Sequence, residues 1–141
     1  MLENTDMEYK VNAAVSLADF KQLLINSTLG DRRPIDDDDC LQGMLANSNL
    51  MVSAWDNGQL VGIARSVTDF HYACYLSDLA VSASYQKLGI GKQLLRLTQD
   101  QLKPQCKLIL LAAPAANEYY EPIGFSHNPR CWVLERDQSI R

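Results

Sequence analysis

Seven consecutive residues, Gln86-Lys87-Leu88-Gly89-Ile90-Gly91-Lys92, combine two glycines and two lysines just before a helical pattern carrying Leu94 and Leu95. Glycine lets the main chain turn tightly and come close to a ligand, while the first turn of a helix offers unpaired N–H groups at its positive end. That chemistry suits a pyrophosphate. A dinucleotide fold would want three glycines after a parallel strand and an acidic residue about twenty positions on. A nucleoside triphosphate loop would want Ser or Thr after Gly91-Lys92, where Gln93 stands, so a nucleotide hydrolase is disfavoured. Read alone, the loop also fits a plain helix cap.

Context decides between these readings. The loop matches the Gln/Arg-x-x-Gly-x-Gly/Ala signature in full, Leu76-Ser77-Asp78-Leu79-Ala80-Val81 precedes it as an expected strand, and Tyr120-Glu121-Pro122-Ile123-Gly124-Phe125 follows as a Tyr-x-x-x-Gly-Phe segment. With these three stretches in this order, the chain resembles the GNAT superfamily of N-acetyltransferases from about Tyr9 to Glu135. The resemblance implies an α/β (α+β) fold, with a mixed, mostly antiparallel sheet of six to seven strands flanked by about four helices and splayed between the fourth and fifth strands. It implies acetyl-CoA as cosubstrate, with the main chain of Leu79, Ala80 and Val81 pairing with the pantetheine arm. Amides of Gln86, Lys87, Leu88, Gly89, Ile90, Gly91 and Lys92 would hold the pyrophosphate.

Acetyl transfer to an amine needs a neutral nucleophile, stabilisation of a developing oxyanion and a proton for the departing thiolate. By the same resemblance Tyr120 is the expected general acid, a phenol near the coenzyme sulfur; packing of Tyr120 on the sheet is the competing reading. The N–H of Leu79 is expected at the oxyanion. Asp78 is the carboxylate nearest Val81 and the candidate base, with a structural ion pair as the alternative. Asn117 is expected to bond the coenzyme arm, although it stands closer to Tyr120 than the family spacing, and a helix-cap role competes. His71 is a weaker base candidate. The expected function is transfer of acetyl from acetyl-CoA to an amine of a small molecule or protein, directly in a ternary complex. The alternative is an acyl-CoA-binding sensor or interaction module with little transferase activity.

Positioning these groups requires a set of elements that periodicity supplies. Tyr9 to Asn12 reads as a first strand, and Ser16 caps a helix with Leu17, Phe20, Leu23 and Leu24 on one face. Asp36 to Asp39 places negative charge at the start of a second helix through Leu41, Met44 and Leu45, a simpler reading of four aspartates than a calcium loop. Strands are expected over Leu50 to Trp55 and Gln59 to Val67, joined at Asp56-Asn57-Gly58, and over Tyr72 to Val81. Helix Gly91 to Leu102, a strand Lys107 to Ala112 buried on both faces, a short helix through Asn117 and Tyr120, and a last strand Cys131 to Glu135 complete the order. Core packing is the default for Trp55, Tyr72, Tyr75 and Trp132. That order implies a mixed sheet with helices on its faces.

Bulk properties narrow the partners. A length of 141 residues fits one domain, residues 1–141, able to bury a core without metal or disulfide staples. A net charge of −4 disfavours nucleic acid, and no run of some eighteen apolar residues suggests a membrane span. Met1 to Lys10 does not read as an export signal, and Cys40, Cys74, Cys106 and Cys131 are spaced for neither zinc nor disulfides. A cytoplasmic protein with free thiols and no metal is expected. Dimers are common in families of this kind, so a homodimer is among the expectations.

Overall fold

The computed structural model describes residues 7–141. Its contacts divide into two compact units, one reaching Leu111 and one comprising Ala112–Arg141. In the first, five strands stand in the order β1-β2-β3-β4-β5. These are β1 (Met7–Val11), β2 (Leu50–Asp56), β3 (Gln59–Thr68), β4 (Ala73–Val81) and β5 (Lys107–Leu110), with α1 (Leu17–Asn26), α2 (Asp38–Asn47) and α3 (Ile90–Asp100) between them. All neighbours are antiparallel except β4 and β5, which run parallel.

Local chemistry explains most of the boundaries. Ser16 caps α1 by accepting the N–H of Asp19 at 3.1 Å, and Asp37 caps α2 by accepting the N–H of Cys40 at 3.0 Å. The aspartate run is therefore a helix start, with Asp38 and Asp39 in the first turn, where negative charge suits the dipole. Asn57 at φ 49° and Gly58 at φ 80° make the two-residue turn between β2 and β3, the left-handed pair that matches strand twist.

Helices cover the sheet on the basis of side-chain size. Phe20, Leu23, Leu24, Leu41 and Leu45 of α1 and α2 pack with Ile63 of β3 and Ala80 of β4 in one buried cluster. Helix α3 presses onto β3 where Gly62 leaves room: a Cβ there would lie 3.1 Å from Leu94 Cδ1 and 3.2 Å from Ile90 Cγ2. Burying side chains of this size contributes about 1.5–3 kcal/mol each.

The strand and helix counts differ from the expected six to seven and about four. Among the described residues there are five strands and three α-helices. The unit Ala112–Arg141 holds short 3-10 turns at Pro114–Ala116 and Glu121–Ile123 in place of a helix through Asn117 and Tyr120. Pro114 and Pro122 have no N–H to give an α-helical ladder, and Gly124 at φ 112° ends the second turn. Cys131 to Glu135 forms no strand; Trp132 is 92% exposed. An apolar run becomes a strand only with a ladder partner, and none pairs with it among the described residues. Strand β5 is also shorter than expected and is not buried on both faces, because it stands at the end of the strand order and Ile109 and Leu111 are exposed. Ile109 lies in one cross-strand row with exposed Tyr75 and Val67.

Candidate active site

The parallel ladder between β4 and β5 runs from Ala73↔Lys107 to Leu76↔Leu110 and stops. Strand β4 continues to Val81, paired only with β3, through Asp78↔Arg65, Leu79↔Ala64, Ala80↔Ile63 and Val81↔Gly62. Among the described residues no strand pairs with the other edge of Ser77 to Val81; the Ser77 and Val81 carbonyls accept from Arg33 Nη2 and Gln86 Nε2, and the remaining main-chain groups around Leu79 and Ala80 are able to pair with an extended ligand. Ser66 faces Leu76 and Arg65 faces Asp78, so Ser77 is an extra residue, a bulge at the point where the edge opens.

Beyond Val81 the chain makes a tight connection to α3. Gln86 returns to the end of the strand, its Nε2 donating to the Val81 carbonyl at 3.0 Å. Tyr85 donates its phenol to Asp56 Oδ2 at 2.6 Å, which ties the connection to the end of β2 and raises the Tyr85 pKa above 10.0. Lys87 at φ 65° and Gly89 at φ 82° both adopt left-handed backbone, and α3 begins on Gly89 with no side-chain cap. Among the described residues, the N–H groups from Lys87 to Lys92 donate to no protein acceptor; the first helical bond is Gln93 N–H to Gly89 O, 3.1 Å. A Cβ on Gly89 would meet nothing within 4 Å, so open space borders the loop. Six free amides in sequence at the positive end of an eleven-residue helix form a cradle for a polyanion, and Lys87 and Lys92, both exposed, add charge.

In the second unit, the Tyr120 carbonyl accepts the N–H groups of Ile123 at 3.2 Å and Phe125 at 3.1 Å. Gly124 permits that closure, since φ 112° suits few other residues. The ring of Tyr120 meets Tyr119 and Phe125 edge-on, with centroids 5.1 and 5.4 Å apart. Burial, with a smaller contribution from Tyr119, pushes the Tyr120 phenol above its ordinary 10.0, so it stays protonated at neutral pH.

A family model for the acetyltransferase (GNAT) domain matches residues 32–130. The chain belongs to this family. Among curated relatives, it is 26% identical over 134 residues to the "Uncharacterized N-acetyltransferase ycf52" of Pyropia yezoensis, covering 91% of this chain and 75% of that protein. It is 30% identical over 122 residues to a ycf52-like N-acetyltransferase of Prochlorococcus marinus, covering 82% of this chain and 66% of that one. A chloroplastic GCN5-related N-acetyltransferase of Arabidopsis thaliana is 34% identical over 71 residues, which is 49% of this chain and 36% of that protein. Two solved structures share the fold. A putative acetyltransferase of Deinococcus radiodurans has TM-score 0.75 and 22% identity, covering 96% of this chain and 92% of that one. Aminoglycoside N-acetyltransferase AAC(6')-Iy in complex with CoA has TM-score 0.70 and 18% identity, covering 94% and 95%.

In this GNAT chain the first unit holds the open edge and the amide cradle, with Leu79, Ala80 and Val81 on the one and Gln86 through Lys92 on the other. Asn117 is exposed and follows the turn Pro114–Ala116, its N–H reaching the Pro114 carbonyl at 3.4 Å. Exposed His71 lies in a turn that Asp69 organises: Asp69 Oδ1 accepts the N–H groups of His71, Tyr72 and Ala73 at 3.0, 2.8 and 3.0 Å. These bonds hold the Asp69 carboxyl below its usual 3.8, that of Ala73 contributing most.

Asp78 is fully buried, and both its oxygens are engaged, Oδ1 by Arg33 Nε at 2.6 Å and Oδ2 by Arg65 Nε. Neither arginine stands out in the sequence. Arg65 becomes visible only when the β3–β4 register places it opposite Asp78, and Arg33 lies 45 residues from its partner. Among the described residues no helix is long and apolar enough to cross a membrane.

Proposed function

We propose that this chain is an acetyl-CoA-dependent N-acetyltransferase acting as a single domain on an amine, by direct transfer in a ternary complex. The observation that carries the reading is the run of unpaired amides from Lys87 to Lys92, spanning the left-handed Gly89 on which α3 begins and following an open strand edge. Family membership supports acetyl transfer, and the open edge supports pairing of the pantetheine arm with Leu79, Ala80 and Val81.

The chemistry then follows from what each group can do. The amine nitrogen attacks the thioester carbonyl, the oxyanion is held by a main-chain N–H for which Leu79 is our candidate, and the C–S bond breaks. Tyr120 is our candidate for the proton that the thiolate takes; its phenol, whose pKa burial raises, is protonated at neutral pH. Burial and the two arginine partners support an anchoring role for Asp78 over proton abstraction. A solvent water is our candidate for removing the amine's proton. Asn117, exposed beside the 3-10 turn, remains our candidate contact for the coenzyme arm. A cytoplasmic setting is part of the proposal, and the exposed free thiols Cys40 and Cys131 suit a reducing compartment.

Calorimetry with free CoA and with acetyl-CoA, followed by release of free thiol in a panel of amines, tests this reading. Heat with both ligands and amine-dependent thiol release are expected. Heat without thiol release for any amine would favour the sensor reading, and no heat from folded protein would end both.

A further inference from the structure

We propose that Arg33 is a positioning residue for acyl transfer: from the segment joining α1 to α2 it fixes the bulge at Ser77, and with it the direction in which the open edge of β4 presents Leu79. The proposal rests on the reading that this edge carries the coenzyme arm.

A bulge interrupts the ladder and leaves main-chain groups to find partners elsewhere. Arg33 supplies them. Its Nη2 donates to the Ser77 carbonyl at 2.7 Å and its Nε to Asp78 Oδ1 at 2.6 Å, so one planar fork grips two successive residues next to Leu79. Its Nη1 donates to the Arg32 carbonyl at 2.8 Å, and with all three nitrogens engaged the guanidinium has one orientation.

Arg65 plays a different part. It meets Asp78 from β3, and its Nη1 reaches Ser48 Oγ at 2.8 Å and the Met44 carbonyl at 3.4 Å, at the C-terminal end of α2 where the helix dipole accepts positive charge. Two guanidiniums share one carboxylate, and that helix end takes up part of the surplus. The Arg65 side chain is 7% exposed and that of Arg33 is 21% exposed, so Arg33 is the arginine that can be replaced at less cost to the fold.

The test separates aim from stability and from coenzyme binding. Arg33→Ala removes the fork, and Arg33→Lys keeps the charge but cannot hold Ser77 and Asp78 together. The amides from Lys87 to Lys92 are untouched in both, so affinity for free CoA by calorimetry should stay within about a factor of three. Turnover per folded molecule should fall about a hundredfold, the size expected when reacting groups shift by about an ångström. The carbonyl stretch of carbon-13-labelled acetyl-CoA, moved to lower frequency on the wild-type protein by its hydrogen bond, should return towards its free value in both variants.

Wild-type turnover and an unmoved carbonyl band in Arg33→Lys would overturn the proposal, as would a loss of turnover explained wholly by the unfolded fraction. If Arg33→Ala fails to fold, Arg33→Lys decides alone. Absence of heat with wild-type protein and CoA would instead remove the coenzyme reading, a failure distinguishable from that of Arg33.

Discussion

The two halves of β4 are held by different means. From Cys74 to Leu76 the strand is laddered on both sides, by β3 and β5, and its entry is fixed by Asp69 accepting three successive N–H groups. From Ser77 to Val81 only β3 pairs with it, and two arginines at Asp78 hold it in place. Regular pairing supplies rigidity but consumes the main-chain groups. An edge that is to bind a ligand must keep them free, so its rigidity has to come from side chains. We propose that the first half is scaffold and the second is the coenzyme site.

Removing the anchor of the second half should have the largest effect. Asp78→Ala leaves two guanidiniums facing each other without a counter-charge, and urea denaturation should show a loss of about 3–5 kcal/mol, the usual cost of breaking a buried ion pair. A smaller loss than Arg65→Ala causes would show that the carboxylate does not hold the cluster. Next comes Tyr120→Phe, expected to lower kcat about a hundredfold with little change in CoA affinity. Because burial raises the Tyr120 pKa, the wild-type alkaline limb of kcat should lie above pH 10.0, and the variant should lack it.

Gly89→Val tests the cradle beyond the open edge. Left-handed φ of 82° is strained for a β-branched residue, so weakening of CoA binding by at least about tenfold is expected, together with a stability loss of about 1–3 kcal/mol that leaves the protein folded at the assay temperature. Unchanged affinity would separate the loop from the ligand. The smallest effect belongs to the scaffold half: Asp69→Ala should lower Tm modestly without altering CoA affinity. Since hydrogen bonding holds the folded Asp69 carboxyl below 3.8, its stabilisation is present above that pH and is lost as pH falls through the depressed value. The variant and the wild type should therefore converge in acid.

Particular residues show what could be read in advance. Ser16, the aspartate run and Asn57-Gly58 act through neighbours within four positions, so cap and turn were legible from the chain alone. Gly89 belongs with them, since the residue that permits left-handed backbone also starts the helix. Cys131 to Glu135 has the composition of a strand without the pairing of one, because composition carries no information about whether an edge is available. Tyr120 stands out by resemblance alone, and its turn is explained by Gly124 and the bond from Phe125 N–H.

Asp78 marks the boundary between the two kinds of information. Its residue type and its place before Leu79 could be read from the chain, as could the amide loop from Gln86 to Lys92, because helix ends and glycine turns are decided by near neighbours. That Arg33 and Arg65 meet it, 45 and 13 residues away, was decided only by folding. Strand register and a bulge at Ser77 depend on which partners the sheet brings alongside, and a local pattern cannot specify a partner that it does not contain.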